Sequence, residues 1–445
     1  MLSDIVDVIN TACCKAITPG CKTASTLHQL SAKVFTKEVN KICQYGVRIS
    51  VLHDLPTTVL SSVLDHMTYF PSLRRKLHQE LSDPVLFMKG FASHETDRLK
   101  LENCLRHASL IGKPVLPELA KNWCKRLMEI KQPIGFSSIL NKVVKTITFG
   151  AYLHEAGWVF QSMEVLDIAL LMISQAKENK NHEALEMICV KHKLRAEGSA
   201  LLRTKADTTC SILLTMIENT TDSEDLLKVY LEVANHNFKA HRIAESHHWT
   251  RRAMELMTES TSDDSIIEIL QLESVYLFHS QRHEAGTLII SQAIHRAKIT
   301  FGYLNRRYAD TLYTYAVCLL QSNAISDALS VLLELLEVIN KVYGKFTPHV
   351  VIIRSYLAYG FYRRSQTSGR CDVAYDHIQQ AITLAKQLMP ERREIISHLG
   401  EIRAMIMKGR DDILAAIEEN STTLNDDFSM LTVAEIKQMS FQLND

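Results

Sequence analysis

Glycine and proline are scarce in this sequence, with 15 and 9 residues out of 445. β-Sandwiches and barrels need many tight turns, which draw on these two residues, so the scarcity favours helices joined by short connections. Long apolar runs are missing as well. The stretches at 168–173 and 212–217 are six residues each, whereas a membrane-spanning helix needs about 20. We therefore predict an all-α protein that does not insert into a membrane.

A net charge is also absent, because 50 basic and 50 acidic residues cancel. No long-range field draws the whole protein to nucleic acid, and we predict no nucleic-acid partner. The ten cysteines are scattered without a CxxC pair, a usage typical of buried thiols in a reducing compartment. The opening MLSDIVDVINTACC lacks the pattern of a secretory signal. We expect a cytoplasmic protein, with a nuclear or cytoskeleton-associated pool as the alternative.

Signatures of catalysis and of metal binding are missing too. The chain contains no HExxH, GxSxG or GxxxxGK[ST] motif. His279 and His283 stand four residues apart, as two metal ligands on one helix would. They straddle a predicted turn, however, and no cysteine or carboxylate constellation accompanies them. The interpretation is a solvated or groove-lining pair, and we predict a protein without catalytic activity, metal or cofactor.

What the sequence does contain is a series of apolar-periodic segments that come in pairs. In 308–343 two such segments flank a short polar break, which predicts two antiparallel helices joined by a tight turn. Phe301–Gly302 and Tyr343–Gly344 lie 42 residues apart, and so do Ala316 and Ala358. A unit that recurs at this period is typical of helical repeat arrays.

Small residues recur where the two helices of a tetratricopeptide repeat cross, because a larger side chain there would push them apart. The pairs are Gly150 with Ser162, Ala234 with Ser246, Ser274 with Gly286, Ala316 with Ala328, and Ala358 with Ala374. They predict a tetratricopeptide-like superhelix of helical hairpins over 141–408, with a less regular unit at 184–217. An irregular helical region over 1–140 precedes it, and a helix with a polar tail over 409–445 follows.

The first helix of each tetratricopeptide hairpin lines a concave face that usually binds peptides. Extending the register places nine polar, basic or aromatic side chains on that face. They are Lys228, Asn235, Lys239, Gln271, His279, Tyr313, Gln321, Tyr359 and Arg363. Lysine and arginine can hold a carboxylate, while asparagine and glutamine can pair with a peptide backbone. We therefore predict a groove for the C-terminal peptides of other proteins, and an ordinary solvated surface is the alternative interpretation.

Five stretches carry a resemblance to a known family. Leu55–Pro56 opens a predicted helix on which Val59 and Val63 share one face, the order that a cullin-2 box has. The others are ITFGAYLHEAGW at 147–158, YADTLYTYAVCLL at 308–320, LAYGFYRRSQTSGRCDVAYDHIQQAI at 357–382 and LMPE at 388–391. Read together over about 30–410, they resemble the amyloid protein-binding protein 2 family.

The resemblance implies a substrate-recognition subunit of a cullin-2 RING ubiquitin ligase, attached through elongins B and C. It implies recognition of degradation signals of the Arg-x-x-Gly kind at protein C-termini. It also implies a part in microtubule-associated transport of the amyloid precursor protein, whose tail would be a further ligand. A cargo adaptor on microtubules and a pure scaffold are therefore the alternatives to the ligase subunit.

The same resemblance assigns attachment residues near the start of the chain. They are Leu55, Pro56, Val59 and Val63 for cullin-2, and Val39, Cys43 and Val47 for elongin. The elongin set has the spacing of the family's box without its leading leucine. Thr26–Leu27 offers that leucine, followed by Ser31 and Phe35, and is the alternative position.

Overall fold

The structure of the chain is a computed structural model. It describes residues 32–37, 40, 50–91, 95–129, 136–175, 182–218, 220, 222–368 and 371–427. Val39, Cys43, Val47 and the alternative Thr26–Leu27 lie outside these residues. Within them the regular structure is helical and contains no strand, so the predicted all-α class is confirmed.

Eighteen α-helices follow one another among the described residues from Thr57 to Asp427. In chain order they are α1 (Thr57–Met67), α2 (Arg74–Leu81), α3 (Pro84–Phe91), α4 (Glu95–Ala108), α5 (Leu116–Met128), α6 (Phe136–Glu155), α7 (Val159–Gln175), α8 (His182–Ser199), α9 (Arg203–Met216), α10 (Ser223–Lys239), α11 (Ile243–Glu255), α12 (Asp263–His279), α13 (His283–Phe301), α14 (Arg306–Gln321), α15 (Ile325–Val342), α16 (Pro348–Ser368), α17 (Asp372–Leu388) and α18 (Arg393–Asp427).

The backbone repeats the same turn five times, at the ends of α6, α8, α10, α12 and α14. One residue in each turn has a left-handed φ of 58° to 87°: these residues are Gly157, Leu201, His241, Gln281 and Asn323. The next residue donates its N–H to the carbonyl five positions earlier in every turn, which is the Schellman ending of a helix. Successive left-handed residues lie 44, 40, 40 and 42 positions apart, so the helical-hairpin repeat predicted from the sequence is present.

Leu201 occupies one of these turns at a steric cost. A side chain in the left-handed region costs about 1–2 kcal/mol, and Leu201 is 69% exposed, so it recovers little of that by burial. We expect Leu201→Gly to raise the thermal midpoint of unfolding. Leu288→Gly is the matched control, because Leu288 is 63% exposed inside α13, where glycine should lower the midpoint. A fall in both variants would contradict the turn geometry.

The small residues of the hairpins lie where the helices are closest. Ser162 in α7 donates its hydroxyl to the carbonyl oxygen of Gly150 in α6 at 2.7 Å, and Ser246 in α11 does the same to Ala234 in α10 at 2.9 Å. All four residues are buried. Each serine hydroxyl therefore has a hydrogen-bond partner on the backbone of the other helix of its hairpin, and the small side chain keeps the crossing narrow.

Gly286 at the start of α13 tests the tightness of such a crossing. A Cβ added there would lie 2.8 Å from the Cδ2 atom of the Phe278 ring, which is 4% exposed. Gly286→Ala should therefore destabilise the protein by about 1–3 kcal/mol through overpacking, measured by denaturant unfolding. Gly400→Ala in α18 is the control, because its Cβ would meet nothing within 4 Å. A neutral Gly286→Ala would refute the close crossing.

The N-terminal helices pack on the first repeat. The ring of Phe149 in α6 lies 5.5 Å from that of Phe87 and 6.1 Å from that of Phe91 in α3. Trp123 in α5 donates its indole N–H to the hydroxyl of Thr146 in α6 at 3.3 Å. These contacts bury the aromatic side of α6 against α3 and α5.

The chain divides into two compact units. One consists of residues 1–324 and 330–350, and the other of residues 325–329 and 351–445. The first contains the N-terminal helices and the repeats through α14, and the second contains α17, α18 and most of α16. The boundaries predicted at 140 and 408 stay predictions.

Candidate functional site

The first helices of the repeats, α6, α8, α10, α12 and α14, contact one another in that order. Three of them begin with a side-chain cap: Asp222 for α10, Ser262 for α12 and Asn305 for α14. Their shared surface carries charged and polar side chains, which we call the polar face. It consists of His154, Arg195, Ser199, Glu232, Asn235, Lys239, Glu268, Gln271, Arg306 and Asp310.

Arg195 of α8 links three helices at the centre of the polar face. Its guanidinium donates to Glu232 of α10 at 2.6 Å and to Glu268 of α12 at 2.8 Å. Asn235 of α10 donates to the same oxygen of Glu268. Burial works against the charge, but the two carboxylates outweigh it and raise the pKa of Arg195 above its usual value. Burial likewise opposes ionisation of Glu268, yet Arg195 lowers its pKa.

Arg306 of α14 forms a second centre with two acids. It pairs with the carboxylate of Glu155 at the end of α6 and donates from Nε to Asp310 at 3.1 Å. Burial opposes the charge, but these carboxylates raise the pKa of Arg306 above its usual value. His349 donates from Nε2 to the backbone carbonyl of Glu155 at 2.9 Å, and burial lowers its pKa. The end of α6 is thus fixed by two side chains from later in the same unit.

Lys239, at the end of α10, has partners of another kind. Its ammonium donates to the hydroxyl of Ser199 at 2.9 Å and more weakly to the carbonyl of Arg195 at 3.5 Å. Ser199 also contacts Nε2 of His154 at 2.8 Å. Among the described residues, no carboxylate oxygen lies within ion-pair distance of Lys239. Burial lowers its pKa to about 8.

The structure brings three of the nine predicted groove residues together on the polar face: Asn235, Lys239 and Gln271. Gln271 donates to the hydroxyl of Thr311 at 2.6 Å. Lys228 instead pairs with Glu224 on its own helix at 2.5 Å.

Of the other predicted groove residues, three lie in the first unit and two in the second. His279 and Gln321 are exposed at the ends of α12 and α14, and Tyr313 is 36% exposed. Tyr359 and Arg363 lie in the second unit, where Arg363 donates to the Tyr359 hydroxyl at 2.8 Å. Their role as groove residues stays a prediction.

Register arguments missed five important members of the polar face: His154, Arg195, Ser199, Glu232 and Glu268. A signal for two of them was present. Arg195 and Ser199 precede the left-handed Leu201 by six and two residues, as Asn235 and Lys239 precede His241. They hold equivalent positions, and only the unassigned register of the unit at 184–217 concealed them.

The predicted attachment helix is α1, which begins directly after Pro56. Pro56 is exposed, and Leu55 and Val59 are half-buried. Val63 is 1% exposed in the core beside Leu60, so its side chain is not available to a partner. Of the four residues predicted to contact cullin-2, the other three are at least partly accessible.

No family model matches the chain. Curated proteins do match, among them amyloid protein-binding protein 2 from Rattus norvegicus and from Mus musculus, each 20% identical over 337 residues. The chain is thus similar to amyloid protein-binding protein 2. The resemblance predicted from the sequence is thereby confirmed. The alignment covers 75% of this chain and 57% of each relative, so the chain spans a little over half the length of the curated relatives it matches.

A looser likeness connects the chain to a solved structure. This is a signal transduction ATPase with numerous domains from Pyrococcus horikoshii, which carries a tetratricopeptide repeat sensor. The TM-score is 0.37 at 10% identity, over 88% of this chain and 68% of that one. The helical repeat assigned above rests on its own turns and crossings. With the curated relatives, it indicates a repeat-based binding protein.

Neither a membrane-spanning helix nor a cluster of metal ligands occurs among the described residues. None of their helices is long and apolar enough to cross a membrane. No three histidine, cysteine, aspartate or glutamate side chains among them are grouped as ligands of a metal ion would be.

Proposed function

We propose that this protein is the substrate-recognition subunit of a cullin-2 RING ubiquitin ligase and binds C-terminal peptides of target proteins on its polar face. The observation that carries the binding role is Lys239. The arginines of the face are held by carboxylates of the same chain, whereas Lys239, among the residues that the structure describes, donates to a hydroxyl and a carbonyl and to no carboxylate. Its ammonium can therefore donate to a ligand carboxylate without breaking an ion pair among these residues.

Attachment to the ligase would use α1 and the preceding segment, with elongins B and C and cullin-2 as partners. The support is the order Leu55–Pro56 before a helix that begins at Thr57, together with the similarity to amyloid protein-binding protein 2. Leu55, Pro56 and Val59 remain at least partly accessible. Such a subunit needs no catalytic residues of its own, because it only brings the target to the ligase.

Affinity purification of the full chain from cells, scored for elongin C and cullin-2, tests this proposal. The same preparation is titrated with a labelled peptide that ends in Arg-x-x-Gly. We expect both ligase components in the eluate and saturable peptide binding. Recovery of neither elongin C nor cullin-2 would contradict the ligase role, and absence of peptide binding would contradict C-terminal recognition.

A microtubule-associated cargo adaptor is the second candidate, and the name of the relatives, amyloid protein-binding protein 2, favours it. This function would use the same polar face without ubiquitin. It predicts binding of the amyloid precursor protein tail and sedimentation with microtubules, both independent of cullin-2. If the chain binds the tail in lysates depleted of cullin-2 and never recovers elongin C, this function replaces the first. A pure scaffold would show neither set of partners.

A further inference from the structure

We infer that Lys239, Ser199 and His154 form a carboxylate-binding subsite that takes the terminal carboxylate of a peptide. The inference rests on the proposed function and specifies which group of the ligand this part of the polar face recognises. The three side chains come from α10, α8 and α6, and Ser199 contacts both of the others. The site is thus built by three helices.

Ser199 and Lys239 already use some of their hydrogen-bond donors within the protein. Ser199 donates its one hydroxyl hydrogen to the carbonyl of Arg195 at 2.9 Å, so it accepts from Lys239 and from His154. With this orientation of the hydroxyl, His154 donates from Nε2. Lys239 has three N–H donors and uses one on Ser199 and one, at 3.5 Å, on Arg195. At least one N–H of the ammonium is left for a ligand.

The charge around the subsite favours an anion. Burial, then the cations Lys239, Arg195 and Arg306, hold the pKa of His154 well below its usual value. Because these three cations all lower the pKa of His154, the electrostatic potential at its imidazole is positive. His154 is therefore neutral at pH 7 and adds a dipole without adding a charge that would have to be compensated.

Acidic side chains also face Lys239, but other cations already hold them. The charged groups around it are Arg195 on α8, Glu232 on α10, Glu268 on α12 and Asp310 on α14. Arg195 holds both glutamates and Arg306 holds the aspartate. A competing explanation for the position of Lys239 is structural: its positive charge would offset, at a distance, the surplus of carboxylates over arginines on the polar face. That role would not depend on a ligand carboxylate.

The two explanations differ in their response to the peptide terminus. We compare a free-acid Arg-x-x-Gly peptide with its C-terminal amide on the full chain and on Lys239→Met. We expect Lys239→Met, or amidation, to weaken binding about tenfold to a hundredfold, and the two changes together to add nothing further. Lys193→Met is the matched control, because this half-buried lysine is paired with Asp167 at 2.5 Å on another side of α8.

A pH titration of the unmodified chain tests the same point without a variant. Burial lowers the pKa of Lys239 to about 8. In the protein without peptide, the Lys239 ammonium therefore loses its proton as the pH rises through 8. A bound carboxylate favours the ammonium, and binding then takes up a proton. Affinity for the free acid should fall about tenfold per pH unit well above 8, while affinity for the amide should not. Lys239→Met should abolish the difference.

Equal affinity for acid and amide at pH 7, or an acid affinity that is flat between pH 7 and 9.5, would overturn the subsite. Neither of these results touches the ligase assignment, which recovery of cullin-2 decides separately. If the unmodified chain bound neither the free-acid peptide nor its amide, that result would instead contradict the proposed function.

Discussion

Arg195→Met should destabilise the first unit by about 3–5 kcal/mol, the cost of leaving a buried ion pair without one partner. Methionine fills a similar volume, so packing changes little. The variant leaves Glu232, which is 1% exposed, and Glu268, which is 8% exposed, without their shared guanidinium. Both carboxylate oxygens lie within 2.8 Å of the same nitrogen atom of Arg195, so two negative charges would face each other. Thermal unfolding monitored by circular dichroism measures the loss.

The pH dependence of stability should change sign in this variant. In the parent chain Arg195 lowers the pKa of Glu268, so that contribution to stability is present at neutral pH and is lost as the pH falls into the acid range. Without Arg195 the paired carboxyls gain a raised pKa, and the folded state then binds more protons than the unfolded state. The variant should therefore become more stable as the pH falls from 7 towards 5.

Arg296→Met provides the control for that comparison. Arg296 pairs with Asp263 at the surface, where the two side chains are 44% and 38% exposed, and such a solvent-exposed pair contributes little to stability. Its loss should shift the midpoint slightly and keep the parent's pH dependence. If Arg195→Met behaves like Arg296→Met, the polar face is solvated and the buried network is not what holds α8, α10 and α12 together.

The hairpin architecture could be predicted because its determinants are local. Small residues at crossings such as Gly150 with Ser162 must be small whatever else surrounds them, and apolar periodicity fixes which side of a helix is covered. The turns were harder, since the left-handed position is held by Gly157 in one repeat but by Leu201 and His241 in others. These residues share a backbone conformation and no chemistry, so side-chain identity alone did not reveal the period.

The candidate site was predicted only in part because it depends on contacts between repeats. Lys239 could be placed on the shared face from its register. Its ammonium has no carboxylate partner among the described residues because Arg195 binds Glu232 and Glu268. These two glutamates follow Arg195 by 37 and 73 residues in sequence. No spacing rule within one helix encodes that competition. The same holds for Val63, whose pattern fits an exposed box, whereas packing of the N-terminal helices buries it.

Replacing Leu55 and Pro56 together with alanine should abolish recovery of cullin-2 with the full chain. Pro56 is exposed and Leu55 half-buried at the entry to α1, so the change removes apolar contact area from a surface. Val59 lies in the first turn of α1, three residues after Pro56, and is half-buried, so Val59→Ala should weaken recovery in the same direction. Quantitative blotting of cullin-2 and elongin C against the purified chain measures both.

Pro56 also caps the start of α1, and the experiment must separate this structural role from binding. Its carbonyl accepts the N–H of Leu60 at 2.9 Å, and alanine keeps that carbonyl, so α1 should form in the double variant with nearly unchanged helical content. Thr58→Ala, an exposed position in the same first turn, is the matched control and should retain cullin-2. Full recovery of cullin-2 by the double variant would remove α1 from the ligase contact. Loss of cullin-2 in Thr58→Ala as well would point to disturbance of the helix start rather than to a contact made by Leu55 and Pro56.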